Sequence, residues 1–209
     1  MSTKSVAIIT MSTRPARVGG NVAALVRPIV EKVLTAADIT LVPVDVKDFN
    51  LPLFNENVAP AMVPAYAQFE HAHSKAWSAE IAKHAGYVLV IPEYNYGVAG
   101  GTKNAIDYLL NEWKGKPLAI VSYGAHGGSQ ASRQAKEILS GMGLRVAETR
   151  PQLAFANALA EMGGILSEGK VYPESEAKWL GQSDEIAKAA EELKELLLQP
   201  NDEANAPKS

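Results

Sequence analysis

The sequence predicts an α/β fold in which a five-stranded parallel sheet carries helices on both faces. Three observations lead to it. Short runs rich in β-branched residues alternate with segments of helical periodicity, these runs are apolar almost throughout, and no internal repeat or domain boundary interrupts the alternation. Strands that are apolar on both sides are typical of a parallel sheet covered by helices, with right-handed crossovers between strands.

Four strands are predicted clearly and a fifth less so. The four are SVAIIT (5–10), ITLVPVDV (39–46), YVLVIP (87–92) and LAIVSY (118–123). The fifth strand falls within 144–155, where Pro151 cannot donate a backbone hydrogen bond and so favours a sheet edge or an interruption.

Five helices alternate with these strands, and the first and third carry apolar side chains on one face at helical spacing. They are predicted over 19–36, about 64–84, from near Thr102 to Trp113, over 129–141 and over about 176–198. The segment 156–175 is predicted to be a long irregular connection.

Five strands favour the flavodoxin-like doubly wound order 2-1-3-4-5 over the Rossmann order. We therefore expect one domain over 1–198. The remaining residues, 199–209, form a polar segment of the composition typical of disorder.

Composition narrows the classes of function. The chain has 209 residues, a net charge of −3 and no cysteine. An acidic protein is not expected to bind nucleic acid, and without cysteine there are no disulfides, thiol nucleophiles or thiolate-bound metals. No apolar run is as long as a membrane span. The expected location is the cytoplasm.

Three polar loops follow the first, third and fourth strands, and in the order 2-1-3-4-5 these loops meet at the carboxyl edge of the sheet. The loop MSTRPARVGGN (11–21) precedes a helix N-terminus, where free backbone N–H groups favour a phosphate. Ser12 can add a hydroxyl donor, and Arg14 and Arg17 can pair with phosphate oxygens. The alternative is helix capping by Ser12 or Asn21 with two solvated arginines.

The loop PEYNYGVAGGTKNA (92–105) follows the third strand. Its backbone N–H groups could reach the polar edge of a planar heterocycle, and Tyr94 or Tyr96 could lie against the face of that ring. Gly97 permits a close approach of the backbone. The alternative is an ordinary surface turn.

The loop SYGAHGGSQ (122–130) follows the fourth strand. Its glycines allow the backbone to approach a ring, and His126 could face the edge of that ring. The alternatives are an exposed loop histidine and a Ser129 that only caps the next helix.

No catalytic side chain and no metal site are predicted. His71 and His73 would diverge on the predicted second helix, so they do not suggest a metal pair. Neither a GxxxxGK[ST] loop nor a GxGxxG fingerprint after the first strand is present.

The segments STRPARV (12–18), PEYNYG…KNAIDYL (92–109) and VSYGAHGGSQA (121–131) resemble those of the NADPH-dependent FMN reductases, which are flavodoxin-fold quinone and azo-dye reductases of bacteria and fungi. The resemblance spans about 5–146. It implies that the FMN phosphate is held by Ser12, Arg14, Arg17 and Val18. It implies that the isoalloxazine ring and ribityl chain are lined by Pro92, Glu93, Tyr94, Asn95, Tyr96 and Gly97. It places Ser122, Tyr123, Gly124 and His126 at the other edge of the ring.

The resemblance also implies an activity. NAD(P)H, as NADPH or NADH, would reduce bound FMN, which would pass the electrons to a quinone, an azo compound or free flavin. A homodimer or homotetramer is implied too, and the third helix, ending in Trp113, is either its interface or part of the core. Two other functions stay open: a flavodoxin-like electron carrier, and an interaction module that senses flavin redox state.

Overall fold

The structure is a computed structural model that describes residues 4–199. The strands described are β1 (Ser5–Thr10), β2 (Thr40–Asp45), β3 (Gly86–Tyr94), β4 (Gly97–Val98), β5 (Pro117–Gly124), β6 (Arg145–Val146) and β7 (Gln152–Ala154). The α-helices described are α1 (Gly19–Thr35), α2 (Ala72–Ala82), α3 (Gly100–Asp107), α4 (Ser129–Gly141), α5 (Ala158–Ser167), α6 (Pro173–Leu180) and α7 (Ser183–Leu198).

The sheet has the predicted order. Its parallel strands run β2-β1-β3-β5-β6, and β7 continues beside β5 where β6 has ended. The interruption falls at Pro151, whose carbonyl accepts a hydrogen bond from the backbone N–H of Ser122. The fifth strand is therefore two short pieces, β6 and β7. The extra strand β4 is the return arm of a small antiparallel hairpin on β3.

The core lies on both faces of the sheet. Along β3, Val88 and Val90 face the side covered by α1 and α7, while Tyr87, Leu89 and Ile91 face the side covered by α2, α3 and α4. Successive strand residues point to opposite faces, so a strand between two helical layers needs apolar residues at every position. This is the physical reason for the near-continuous apolar runs in the sequence.

The third helix is shorter than predicted. It ends at Asp107, and Ile106, Leu109 and Trp113 are buried in the core under α2 and α4. The ring of Trp113 packs edge-on against that of Tyr87, with their centroids 4.7 Å apart. For these side chains the alternative of core packing therefore holds.

The predicted irregular connection over 156–175 is wrong. Asn157 caps α5 by accepting a hydrogen bond from the backbone N–H of Ala160 at 3.3 Å, and Pro173 begins α6. The predicted last helix is also divided, because Gly181 and Gln182 separate α6 from α7.

The second helix begins later than predicted, which changes the geometry of its two histidines. His71 precedes α2 in an extended conformation, and His73 lies in the first turn. Their rings consequently stack, with centroids 5.2 Å apart, instead of diverging. Both rings make hydrogen bonds to Asn55.

Two further sequence predictions concern the polar tail and the absence of a membrane span. Apart from Gln199, the predicted disordered tail lies outside the described residues. Within residues 4–199, no helix is both long and apolar enough to cross a membrane.

Lys116 directly precedes β5, at the end of the sheet opposite to the three polar loops, and its titration tests how the protein packs there. Its Nζ donates to the Tyr87 hydroxyl at 2.8 Å and to the carbonyl of Ile81 at 3.2 Å. Burial lowers the pKa of Lys116 from 10.5 to about 8. Between these two values the folded protein has released the proton while the unfolded chain still holds it, so the free energy of unfolding should rise with pH.

Urea unfolding of the wild type and of Lys116→Met across this window measures the effect. The rise should be less than about 1.4 kcal/mol per pH unit, because the ammonium is partly solvated. Lys116→Met is expected to lose the rise, and Lys114→Met, which changes an exposed lysine nearby, to keep it. Parallel pH dependence of the wild type and Lys116→Met would contradict the prediction.

Candidate functional site

The three polar loops surround one cleft of about 610 Å³ at the carboxyl edge of the sheet. The loops follow β1, β3 and β5, the three central strands. Eleven of the fourteen predicted site residues line the cleft: Arg14, Arg17, Val18, Pro92, Glu93, Tyr94, Asn95, Tyr96, Tyr123, Gly124 and His126. The other three, Ser12, Gly97 and Ser122, shape the loops around it.

The loop after β1 forms a cradle at the N-terminus of α1. The N-cap residue of this helix is Val18, and no side chain in the described part of the protein caps it. Ser12 is 1% exposed, and its Oγ makes no hydrogen bond of acceptable geometry within residues 4–199, although it lies beside the Tyr123 hydroxyl. A Cβ atom on Gly19 would lie 2.1 Å from Ser12 Oγ and 2.8 Å from the Tyr123 hydroxyl. An orphaned hydroxyl and an uncapped helix N-terminus fit a bound phosphate.

Arg17 closes this loop on itself. Its guanidinium forks onto the carboxylate of Asp45 at the end of β2, and it also donates to the carbonyl of Ser12. The hydrogen bond to Asp45 raises the pKa of Arg17 above its ordinary value, against the opposing effect of burial. Arg17 therefore lines the cleft with a charge that is already paired, and it holds the loop in shape.

Arg14 reaches across the cleft to α5. Its two Nη groups donate to the carbonyl of Leu166 at 2.8 Å and to that of Ile165 at 3.2 Å. A cation at the carboxyl end of a helix is favourable because the helix dipole is negative there. The third donor, Nε, is buried and has no partner within the described chain. Arg14 can thus keep α5 in place and still offer one N–H to an anion in the cleft.

PEYNYG forms a tight hairpin at the end of β3. Tyr94 pairs with Gly97 across it, which leaves the amides of Asn95 and Tyr96 outside the ladder. Both have positive φ, 50° and 62°, as a type I′ turn requires. Tyrosine is rare in this conformation, and the turn holds the Tyr96 ring 75% exposed beside the cleft. Gly97 packs closely against Gln134, whose Oε1 would lie 2.9 Å from a Cβ at this position.

Glu93 lines the cleft but directs its carboxylate to the next helix. Oε2 accepts hydrogen bonds from the backbone N–H groups of Gln130 at 2.8 Å and Ala131 at 3.0 Å, in the first turn of α4. The helix dipole favours a negative charge at this position. Glu93 therefore ties the loop after β3 to the helix after β5.

Ser122 stabilises the loop after β5. Its side chain is fully buried, and its hydroxyl donates to the carbonyl of Gly127 at 2.8 Å. Gly127 and Gly128 have φ of 76° and 75°, a conformation that favours glycine. His126 is exposed at the rim. Burial raises the pKa of Tyr123 above its ordinary value, so its hydroxyl remains a proton donor beside Ser12.

The sequence prediction missed one wall of the cleft. Six further residues line it: Ala125, Phe155, Ala158, Met162, Ile165 and Leu166. Four of them belong to α5, in the segment predicted to be irregular. Two signals were present in the sequence. Asn157 is a favourable N-cap residue, and the apolar residues recur at spacings of three and four.

Fold and cleft together define the class: this is a flavodoxin-like α/β protein with a ligand cleft at the point where the strand order reverses. Residues 5–160 match the model of the NADPH-dependent FMN reductase family. The chain belongs to that family.

Curated relatives agree with this assignment, and a solved structure agrees with the fold. The chain is 47% identical over 200 residues to the NAD(P)H-dependent FMN reductase ntnL of Nectria sp., covering 94% of this chain and 98% of that protein. It is 36% identical over 114 residues to a quinone reductase of Pseudomonas putida, covering 51% of this chain and 56% of that one. Its fold is similar to that of FerB, a flavoenzyme NAD(P)H:(acceptor) oxidoreductase from Paracoccus denitrificans. The TM-score is 0.61 at 22% identity, over 90% of this chain and 97% of FerB.

Proposed function

We propose that this protein is an FMN-dependent oxidoreductase that passes electrons from NAD(P)H to a quinone-like acceptor. FMN, when bound, supplies the chemistry by taking up a hydride and giving the electrons to the acceptor. The observation that carries the proposal is the cradle at the start of α1, where, within residues 4–199, the buried Ser12 hydroxyl lacks a partner and the helix N-terminus lacks a side-chain cap. Family membership and the quinone reductase relative support the cofactor and the class of acceptor.

In this proposal the residues of the chain bind and orient the cofactor. Ser12, the first amides of α1 and Arg14 Nε hold the phosphate, and Arg17 supports them through Asp45. The free amides of the Asn95–Tyr96 turn face the polar edge of the flavin, where fixed donors stabilise negative charge. Tyr94 and Tyr96, 40% and 75% exposed, offer aromatic faces at the mouth of the cleft.

The absorbance spectrum of the purified protein tests the proposal. We expect a flavin spectrum, from cofactor that copurifies or that the protein binds when FMN is added. NADPH should bleach it under anaerobic conditions, and a quinone should restore it without any added protein. A protein that takes up no flavin would overturn the proposal. FMN binding without bleaching by NADPH would leave the electron-carrier function instead, and bleaching without restoration would overturn the quinone-like acceptor.

Arg14 is expected to contribute to phosphate binding. Arg14→Ala should weaken FMN binding about tenfold, since a hydrogen bond to a charged group contributes roughly 1.5–3 kcal/mol. Fluorescence titration of the apoprotein with FMN measures the dissociation constant. Arg27→Ala is the matched control, because Arg27 lies on α1 and pairs only loosely with Glu31 at 3.7 Å. Equal FMN affinity in the two variants would contradict the role of Arg14.

The remaining expectations from the sequence are still predictions. They are the homodimer or homotetramer and the cytoplasmic location.

A further inference from the structure

We propose that α5 forms the acceptor-side wall of the cleft, and that its apolar face selects flat, uncharged aromatic acceptors. The inference rests on the proposed function and assigns it a specificity determinant. Ala158, Met162, Ile165 and Leu166 lie one to two helical turns apart, so they share one face of α5 and point into the cleft together.

The chemistry of this face separates it from the rest of the cleft. The loops after β1, β3 and β5 carry hydroxyls, amides and the guanidinium groups of Arg14 and Arg17. The α5 face presents only hydrocarbon and the thioether of Met162, and Phe155 continues it. The polar edge of a flavin and its phosphate need hydrogen-bond donors, which the loops can provide and the α5 face cannot. We therefore assign the loops to the cofactor and the α5 face to the acceptor.

The same face disfavours charged acceptors. A sulfonate or carboxylate placed against Met162 and Leu166 would lose its water and find no donor there. The two Nη groups of Arg14 already donate to carbonyls of α5, and its remaining donor, Nε, is assigned to the phosphate. A planar quinone ring exchanges water for carbon and sulfur contacts at no such cost.

The wall is anchored at both ends, so its side chains have a defined position. At the amino end, Glu161 is 5% exposed and accepts a hydrogen bond from Ser175 of α6 at 2.6 Å. At the carboxyl end, Arg14 binds the last carbonyls. The middle contains Gly164, whose missing side chain admits the Tyr172 hydroxyl, 2.5 Å from where a Cβ would lie. Glu161 and Arg14 are positioning residues for the wall.

Met162→Gln and Leu166→Gln test the inference, with Leu159→Gln as the matched control. Leu159 lies on the same helix but is 86% exposed and does not line the cleft. Naphthoquinone and naphthoquinone sulfonate serve as acceptors, since they share a ring and differ in charge. We expect KM for naphthoquinone to rise about tenfold in the two cleft variants, and KM for the sulfonate to stay or fall. The control should resemble the wild type.

A second readout needs no turnover. Titrating naphthoquinone into the oxidised holoprotein and following the flavin absorbance gives its dissociation constant, which should rise in parallel with KM. FMN affinity, measured by titration of the apoprotein, should be unchanged in all three variants.

Each failure has a distinct signature. Unchanged discrimination between the two acceptors, with FMN retained, overturns the inference and leaves the proposed function intact. Weaker FMN binding in both cleft variants but not in the control also overturns it, because α5 would then contact the cofactor. A wild type that binds FMN but does not oxidise NADPH overturns the proposed function, and the inference with it.

Discussion

Gly19→Ala is expected to weaken FMN binding about 100-fold. The added Cβ would lie 2.1 Å from Ser12 Oγ, 2.8 Å from the Tyr123 hydroxyl and 3.2 Å from Thr10 Cγ2. Ser12 would have to rotate away, and the phosphate would lose its hydroxyl donor and the room above the helix N-terminus. A 100-fold loss corresponds to about 3 kcal/mol, within reach of one lost charge-assisted hydrogen bond plus steric displacement.

Gly20→Ala is the matched control for this prediction. Gly20 occupies the same helical turn and is exposed, and an added Cβ there would have no described atom within 4 Å other than those of its chain neighbours and its own helix backbone. Alanine there should preserve FMN binding and stabilise α1 by up to about 1 kcal/mol. Fluorescence titration of both apoproteins with FMN, with circular dichroism to verify folding, decides the matter. A folded Gly19→Ala protein with wild-type affinity would remove the cradle from the proposed site.

Glu93→Ala should destabilise the fold by about 2–3 kcal/mol, or lower Tm by roughly 5–10 °C. The substitution removes the acceptor for two backbone N–H groups at the start of α4 and takes a negative charge from the positive end of that helix. It also releases the PEYNYG hairpin from α4, so FMN affinity should fall as well.

Two companion variants interpret the result. Glu137→Ala removes a carboxylate from α4 itself, which among the described residues forms a salt bridge with exposed Arg133, and should cost less than about 0.5 kcal/mol. Glu93→Gln keeps an acceptor oxygen without the charge and should lie between the wild type and Glu93→Ala. If Glu93→Ala melted with the wild type while losing FMN, Glu93 would be a direct cofactor ligand and not a structural tie.

Much of the cleft could be predicted because the patterns that predict its strands and loops lie within short stretches of the sequence. The strand runs and helical spacings are visible within windows of ten to twenty residues, and the parallel order follows from strands that are apolar on both faces. The polar loops after β1, β3 and β5 then had to meet, since the carboxyl ends of parallel strands share an edge. For this reason Arg14, Tyr94 and Tyr123 could be placed around one cleft from the sequence.

The partners of the polar side chains could not be predicted in the same way. Arg14 bonds to Leu166, 152 residues away, and Glu93 bonds to Gln130, 37 residues away. The sequence showed Arg14 and Arg17 as two free cations for a phosphate. The structure pairs Arg17 with Asp45 and uses two of the donors of Arg14 on α5.

The sequence by itself determined the parallel sheet, its strand order and the three loops that surround the cleft, because periodicity and loop composition depend on neighbours along the chain. Tertiary structure alone decided which donors remain free and what closes the cleft. α5 is short, and its apolar face becomes a wall of the cleft only because the helix packs opposite the polar loops. Which distant segments form hydrogen bonds depends on how the layers of the fold pack. That packing cannot be inferred from a short stretch of sequence.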